Sequence, residues 1–302
     1  MKLLITGAAG FIGRHLTAQL IDSDYEIILL DRFTDSFSDQ SHNELLSNKA
    51  LPTTLTADLS NLNQTLKAVE EARPDAVIHL ASSGVSQANL PVEQAISDNV
   101  FGALNLIKAC YEGPESVHPE KFILARTPGE LTAMNVYAAS KAAAWNFCSM
   151  FARTRSYPIL GAMIYQAYGP YQPETLVIPS AFDAAFGGQD FPMTSGEQMK
   201  DWIYVDDVVK GIRWLLSSSL DPGTTIELGT GKATSLISVV ERIFELVGGP
   251  GKPLPGALKT REGEATVQVA NVNENSEQIL WSPKVFLEDG LMKYYNWLLE
   301  QP

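Results

Sequence analysis

Tyr137 and Lys141 stand four residues apart in the segment YAASK, and Thr127 lies ten residues upstream at the end of an apolar run. Residues four apart on a helix share a face, so the lysine charge would favour the phenolate of a tyrosine whose ordinary pKa is about 10. Such a phenolate could take a proton from a secondary alcohol. The same spacing also occurs in helices without a catalytic role, so the interpretation depends on what the rest of the chain places around the pair.

A glycine-rich turn supplies the first support. Gly7, Gly10 and Gly13 follow a strand-like run and open an amphipathic segment in LLITGAAGFIGRHL. Glycines at this spacing allow a tight turn and let backbone N–H groups approach a pyrophosphate at the positive end of a helix. The next strand-like run, EIILLD, ends at Asp31, where a carboxylate can accept hydrogen bonds from an adenosine ribose. Together they predict a dinucleotide site.

The identity of the residue at the end of the second strand bears on the cofactor. A carboxylate at Asp31 would repel the 2′-phosphate of NADP, which favours NAD. Arg32 follows directly and could soften that preference. A nicotinamide cofactor supplies hydride chemistry, which is the reaction type that a tyrosine base would serve.

The elements that must position these residues alternate along the first half of the chain. Short apolar runs are typical of strands buried on both faces, and amphipathic segments separate them. This alternation predicts a doubly wound parallel sheet with helices on its two faces. The predicted strands are 2–6, 26–31, 76–81, 121–125 and 159–165, and the predicted helices are 11–22, 62–72, 92–111 and 136–155.

The second half of the chain is organised differently. It begins with a segment rich in proline and tyrosine, and TTIELGTG predicts a late strand of the sheet. Asp206 or Asp207 could cap a helix, and LISVVERIFELVG predicts another helix that ends at a glycine. We expect a sheet domain over 1–165, a return of the chain to it near 203–230, and a smaller C-terminal portion over 166–302.

Composition excludes several classes of function. A formal charge of −13 and the lack of any run of Lys and Arg argue against nucleic acid as a partner. No stretch approaches the about 18 apolar residues of a membrane helix, and the apolar start is a first strand rather than a secretion signal. Cys110 and Cys148 fit buried helix positions in a reducing cytoplasm. The four histidines lack metal-ligand spacing, so no metal is expected, and His79 is predicted to be a hydrogen-bonded structural residue.

With TGAAGFIG, YAASK and YGP (168–170), the chain resembles the extended short-chain dehydrogenase/reductase family. More narrowly, it resembles the NAD-dependent nucleotide-sugar epimerase/dehydratase branch, which contains the UDP-glucose 4-epimerase-like proteins. ADLSN (57–61), HLAS (79–82), NVFGALNLIKAC (99–110) and GEQMKDWIYVDDVVKGI extend the resemblance over almost the whole length. It implies a Rossmann-type doubly wound parallel sheet, a smaller C-terminal α/β substrate-binding domain, and a homodimer.

The resemblance also implies roles for individual residues. Thr127 would orient the reacting oxygen, Tyr137 would be the base, and Lys141 would support Tyr137 and hold the nicotinamide ribose. The implied cofactor-binding residues are Gly7, Ala9, Gly10, Phe11, Ile12, Gly13, Asp31, Arg32, Asp58, Leu59, Leu80, Ala81, Ser82, Asn99, Tyr137, Lys141 and Tyr168. The implied substrate-binding residues are Ser83, Val85, Gln166, Lys200 and Arg261.

Several positions depart from the family's pattern. Arg126 replaces a small residue before Thr127, and the loop that follows is short. Pro128 and Gly129 stand where sugar dehydratases have an acidic pair, which counts against a 4,6-dehydratase; Glu130 is at best a remote substitute. The segment before YGP has Met163 and Gln166 instead of arginine and asparagine. Lys200 stands where an arginine is usual, which keeps the charge but loses the bidentate fork.

We therefore expect an enzyme in the cytoplasm that acts on a nucleotide-sugar. The first hypothesis is an NAD-dependent epimerase that oxidises a sugar hydroxyl transiently and returns the hydride to the other face. A second is an NAD(P)H-dependent reductase of a nucleotide-linked 4-keto-sugar. A third is a non-catalytic dinucleotide-binding protein of the same fold.

Overall fold

A computed structural model describes residues 1–33, 37, 45–46, 49–85, 89–113, 115–260, 263–272 and 281–301. It divides the chain into two compact units, each formed by two segments. Unit 1 consists of Met1–Met163 and Val209–Ile226, and unit 2 consists of Ile164–Val208 and Glu227–Pro302. Within the described residues no helix has the length and apolar character needed to cross a membrane.

The central sheet has seven strands in the order β10-β6-β5-β4-β1-β2-β3. Its strands are β1 (Lys2–Thr6), β2 (Glu26–Asp31), β3 (Thr53–Thr56), β4 (Ala76–His79), β5 (Lys121–Arg126), β6 (Ile159–Ile164) and β10 (Thr225–Leu228). Neighbours from β3 to β6 pair in parallel. All residues of β4 and β6 are buried, which is why these strands read as continuous apolar runs. The predicted doubly wound sheet is confirmed.

The helices of unit 1 connect these strands. They are α1 (Phe11–Leu20), α2 (Leu62–Ala72), α3 (Val92–Ala95), α4 (Gly102–Tyr111) and α5 (Val136–Arg155), and α7 (Val205–Ser217) enters this unit from unit 2. The bounds predicted for α2 and α5 are confirmed. The single helix predicted over 92–111 is wrong in one respect, because a π-helical turn over Ile96–Phe101 separates α3 from α4. Cys110 and Cys148 are buried free thiols in α4 and α5, as expected.

Unit 2 has a four-stranded sheet formed by β7 (Gln166–Tyr168), β9 (Met199–Tyr204), β11 (Ala233–Ser235) and β13 (Val267–Gln268). A two-stranded sheet pairs β8 (Phe191–Pro192) with β12 (Pro253–Leu254). The helices α6 (Val177–Phe186), α8 (Leu236–Val247) and α9 (Leu287–Glu300) complete the unit. Its core contains large side chains that are almost fully buried: Tyr168, Phe182, Trp202, Ile243 and Leu291.

Two helix ends in unit 2 test the sequence signals. α8 ends at Gly248, which has a φ of +72°, as the glycine predicted. The predicted capping role of Asp206 or Asp207 is wrong, because α7 begins at Val205 and both acids lie inside its first turn. The Asp207 carboxylate instead accepts the backbone N–H groups of Lys284 and Val285 at 2.6 and 2.7 Å.

His79 closes β4 and has the structural role expected of it. Its Nδ1 lies 2.7 Å from the Thr6 hydroxyl oxygen across the β1–β4 pair, and the residue is 1% exposed. Burial, with a smaller contribution from the positive charge of Lys141, lowers the pKa of His79 to about 3. The imidazole is therefore neutral in the folded chain near neutral pH.

This buried imidazole predicts a pH-dependent loss of stability. In the unfolded chain His79 takes up a proton below a pKa of about 6.5, whereas in the folded chain it stays neutral down to about pH 3. The free energy of unfolding therefore falls as the pH is lowered from about 6.5 towards about 3. Between pH 7 and pH 5 the contribution is about 2 kcal/mol. We expect His79→Gln to lose this part of the pH dependence in urea titrations. If the unfolding free energies of wild type and His79→Gln had the same pH dependence, the buried neutral state of His79 would be contradicted.

Candidate active site and cofactor site

The turn between β1 and α1 has the geometry that its glycines predicted. Gly7 has a φ of +67°, and its N–H donates to Leu30 O at 3.0 Å. A Cβ at Gly7 would lie 2.6 Å from the backbone nitrogen of Ala81, so no side chain fits there. A Cβ at Gly13 would lie 2.4 Å from Gly7 O. Gly10, the N-cap of α1, makes no side-chain cap. Because the first N–H groups of a helix lack partners within it, the start of α1 fits the pyrophosphate of a dinucleotide.

A cavity of about 500 Å³ opens at this turn, at the carboxyl ends of β1, β2 and β4. The strand order reverses on the two sides of β1, which is where doubly wound sheets bind their ligands. Ten predicted site residues line it: Gly7, Ala9, Gly10, Asp31, Arg32, Leu59, Leu80, Ala81, Ser82 and Ser83. Five further lining residues were missed: Arg14, Leu30, Phe33, Ala57 and Asp98.

The acids around this cavity are fixed by specific contacts. Asp31 accepts the N–H of Ala9 at 3.1 Å and the N–H of Arg32 at 2.8 Å, which ties the end of β2 to the glycine turn. The guanidinium of Arg32 pairs with Asp98 and more weakly with Asp58. The cation that follows Asp31 is therefore engaged by carboxylates of the protein.

Asn99 positions the segment after β4. Its Oδ1 accepts the N–H of Ser83 at 2.8 Å, and its Nδ2 donates to Ser83 O at 2.9 Å and to the Ser140 hydroxyl at 2.8 Å. Both N–H donors of this amide are thus used inside unit 1, and the residue is 2% exposed. Its predicted contact with the cofactor stays a prediction, but its side chain connects the cavity wall to α5.

Tyr137 and Lys141 lie in the first turns of α5, which Asn135 caps by accepting the N–H of Ala138. Burial raises the pKa of Tyr137 to about 12, and a hydrogen bond from Ser82 acts in the opposite direction. Ser82 also lines the cavity, and a Cβ at Gly84 would lie 3.2 Å from Tyr137 Cβ, so Tyr137 packs against the segment after β4. Lys141 is 3% exposed, and burial lowers its pKa while the charge of Glu130 counteracts that effect.

Thr127 follows β5 and precedes a short 3-10 helix, Pro128–Leu131. Its N–H donates to Glu130 Oε1 at 2.9 Å. Glu130 also acts electrostatically on Tyr137 and Lys141 and raises the pKa of both. One buried carboxylate is thus connected to all three predicted catalytic residues.

A buried ion pair lies in the short segment that follows β5. Arg126 Nε donates to Glu130 Oε2 at 2.9 Å, and the two side chains are 9% and 2% exposed. The guanidinium also donates to the Thr225 hydroxyl at 2.6 Å and lies 4.2 Å from the ring centroid of Trp145. The Glu130 carboxylate thus bonds the Arg126 guanidinium through Oε2 and the Thr127 N–H through Oε1.

The remaining predicted residues belong mostly to unit 2. The expectation that Tyr168 contacts the cofactor needs correction for its side chain, because the ring is fully buried in the core of unit 2 and its hydroxyl donates to Leu287 O. Lys200 donates to Gln268 at 2.8 Å and lies 3.6 Å from Glu264. Gln166 is exposed on β7, and Val85 is exposed in unit 1. Arg261 lies outside the described residues.

Two helical glycines give a matched test of the crowded turn. Gly13→Ala forces a Cβ against Gly7 O and Ala8, so we expect a loss of about 1–3 kcal/mol in unfolding free energy and weaker NAD binding. Gly102→Ala meets nothing closer than 3.5 Å, so helix propensity favours the alanine by up to about 1 kcal/mol. Urea titrations and NAD titrations of both variants check this. Equal stabilities would contradict the packing argument.

The Arg126–Glu130 pair predicts a large effect of truncation. Arg126→Ala leaves a buried carboxylate without its cation, so we expect a loss of about 3–5 kcal/mol in unfolding free energy. Arg155→Ala removes the exposed pair with Glu112 in the same unit and should cost far less. Urea denaturation measures both. A small loss for Arg126→Ala would show that the pair is solvated.

Comparison with known proteins agrees with this geometry. The sequence profile of the NAD dependent epimerase/dehydratase family matches residues 3–229. An uncharacterised UDP-glucose epimerase of Bacillus subtilis (strain 168) is 28% identical over 96% of this chain and 96% of its own length. A dTDP-glucose 4,6-dehydratase of Haemophilus influenzae is 24% identical over 99% of this chain and 98% of its own.

A solved structure shows the same fold. The UDP-glucuronic acid 4-epimerase of Bacillus cereus, in complex with UDP-glucuronic acid and NAD, superposes with a TM-score of 0.86 at 23% identity, over 99% of each chain. The profile covers well over half of the sequence. The chain belongs to the NAD-dependent epimerase/dehydratase family, whose cofactor is NAD.

Proposed function

We propose that this chain is an NAD-dependent nucleotide-sugar epimerase with Tyr137 as its base. The observation that carries the proposal is the packing of Tyr137 against the segment after β4, where a Cβ at Gly84 would lie 3.2 Å from Tyr137 Cβ and where Ser82 lines the cofactor cavity. Lys141 lies one turn further along the same helix. A tyrosine at this wall can reach a sugar hydroxyl whose carbon faces the nicotinamide. NAD, when bound, supplies the hydride acceptor.

The residues around Tyr137 divide into those that favour the phenolate and those that oppose it. The Ser82 hydrogen bond stabilises the phenolate. A positive charge brought close to the hydroxyl by Lys141 would do so as well. Burial and the negative charge of Glu130 act the other way, which holds the pKa of Tyr137 at about 12 in the chain described here. Thr127, at the end of β5, would donate to the reacting oxygen and orient it. The keto intermediate would then turn and accept the hydride on its other face.

Glu130 argues against a dehydratase among the activities found in the family. Elimination of water from the sugar needs an acid and a base beside the substrate, in addition to the tyrosine. Pro128 and Gly129 cannot supply them, and Glu130 has its oxygens on Arg126 and on the Thr127 N–H. The charge of Glu130 instead compensates that of Arg126, which favours the oxidation and reduction steps of an epimerase over the elimination step of a dehydratase.

The substrate contacts remain proposals. Lys200 and Gln166 lie on β9 and β7 of unit 2 and are the candidates for the nucleotide phosphates and the sugar. The pairing of Lys200 with Gln268 and Glu264 would orient its ammonium group. Ser83 and Val85 are the candidates in unit 1, and Arg261 is a further one by its position in the sequence. The homodimer stays a prediction.

An NMR turnover screen of UDP-, dTDP-, GDP- and CDP-sugars, with and without added NAD or NADH, tests the proposal. We expect one donor to convert to its epimer without net consumption of cofactor. Tyr137→Phe should lower kcat by a factor of about 10²–10⁴ while NAD binding is retained. Tyr157→Phe, which removes a hydroxyl from a half-buried tyrosine stacked on Tyr111, should keep the wild-type rate.

The outcomes separate the three hypotheses. Stoichiometric consumption of NADH with a 4-keto-sugar would identify a reductase. Binding of NAD without conversion of any donor would favour the non-catalytic reading. Wild-type rates in Tyr137→Phe would show that another group is the base.

A further inference from the structure

We propose that Asp98 makes the cavity selective for NAD over NADP by holding the guanidinium of Arg32 in a bidentate ion pair. Arg32 and Asp98 both line the cavity, Arg32 directly after Asp31 at the end of β2 and Asp98 in the π-helical turn before α4. Selectivity would then depend on a contact between residues 66 positions apart as well as on the strand-end acid. The inference rests on the cofactor and not on the epimerase reaction.

The guanidinium of Arg32 contacts the Asp98 carboxylate at two points. Arg32 Nη2 lies 2.8 Å from Asp98 Oδ1, and Nη1 lies 3.3 Å from Asp98 Oδ2. Two parallel N–H···O contacts fix the plane of the guanidinium as well as its position. A second carboxylate, Asp58, lies 3.4 Å from the same Nη2. Both Nη groups of the guanidinium thus contact carboxylates of the protein.

Asp98 is the better fixed of the two acids. Its side chain is 9% exposed, compared with 34% for Arg32 and 36% for Asp58. Its Oδ2 also accepts the Ser83 hydroxyl at 2.6 Å, and Asn99 binds both backbone groups of the same serine. Burial acts to raise the pKa of Asp98, but the bonds from Arg32 and Ser83 hold it below its usual value, so the carboxylate is charged at neutral pH.

The consequence concerns the 2′-position of the adenosine ribose. Asp31 sits at the strand end that contacts this ribose in dinucleotide-binding sheets, where an arginine nearby can instead accept a 2′-phosphate. Arg32 has the position for that role, but Asp98 and Asp58 compensate its charge. A 2′-phosphate would therefore meet Asp31 without a free guanidinium beside it. Removal of the Asp98 charge would release Arg32 to bind the phosphate.

The test compares 5′-ADP with 2′,5′-ADP, which differ only in the 2′-phosphate. We expect wild type to bind 5′-ADP more tightly in calorimetric titrations. Asp98→Asn keeps the shape of the side chain and removes its charge, so the ratio of the two dissociation constants should shift towards 2′,5′-ADP by about tenfold or more. The double variant Arg32→Ala/Asp98→Asn should lose this shift, because the guanidinium is its source.

Glu70→Gln is the matched control, because it removes one negative charge from an exposed position on α2. Its ratio should equal that of wild type. Retained 5′-ADP binding shows that a variant is folded, and Asp98→Ser gives a second variant without the charge. An unchanged ratio of the two dissociation constants in both Asp98 variants overturns the proposal. A shift in Arg32→Ala/Asp98→Asn as large as that in Asp98→Asn also overturns it, because the shift would then be a general effect of charge. Failure of wild type to bind 5′-ADP would overturn the proposal together with the cofactor assignment, whereas a failed sugar screen would not touch it.

Discussion

The close approach of two backbone segments at Gly7 determines the geometry of the rest of unit 1. The chain leaves β1 with a φ of +67° and passes so near the segment after β4 that a Cβ would lie 2.6 Å from Ala81 N. The same segment continues to Ser82, which binds Tyr137, and to Ser83, which Asn99 holds in place. One steric constraint therefore brings the phosphate cradle and the proposed base to the same edge of the sheet.

Buried charge is the second physical theme of unit 1. Lys141 is almost fully buried, and Glu130 is the negative charge that favours its protonated form. Glu130 also forms the ion pair with Arg126. The Arg126 guanidinium donates in addition to the Thr225 hydroxyl and lies over the ring of Trp145. Glu130 therefore compensates two buried cations. Removal of its carboxylate or of either cation would leave an uncompensated charge away from water, which is costly. This connects the stability of the loop at 127–131 to the electrostatics of Tyr137.

The sequence was sufficient for the elements with strong periodicity and for the residues of the glycine turn. The bounds of α2 and α5 agree with the prediction, as do those of β1 and β2. β3 was missed because it has four residues, three of them exposed, and so lacks an apolar run. The π-helical turn was missed because its side-chain pattern still fits a period of 3.6. Tyr168 was placed at the cofactor by its motif, yet its ring fills the core of unit 2.

Two arginines show why the remainder of the site could not be predicted. Arg32 follows the predicted ribose acid, where it could soften the preference for NAD. Arg126 precedes the proposed catalytic threonine, where it replaces a small residue. In the structure each is neutralised, Arg32 by Asp98 far along the chain and Arg126 by Glu130 four residues on. The effect of a charge at such a site depends on its partner as much as on its position. For Arg32 the partner sits in a π-helical turn whose presence the sequence does not signal. For Arg126 the partner is close in the sequence, but only the structure shows that both side chains are buried and that Glu130 Oε2 lies 2.9 Å from the guanidinium.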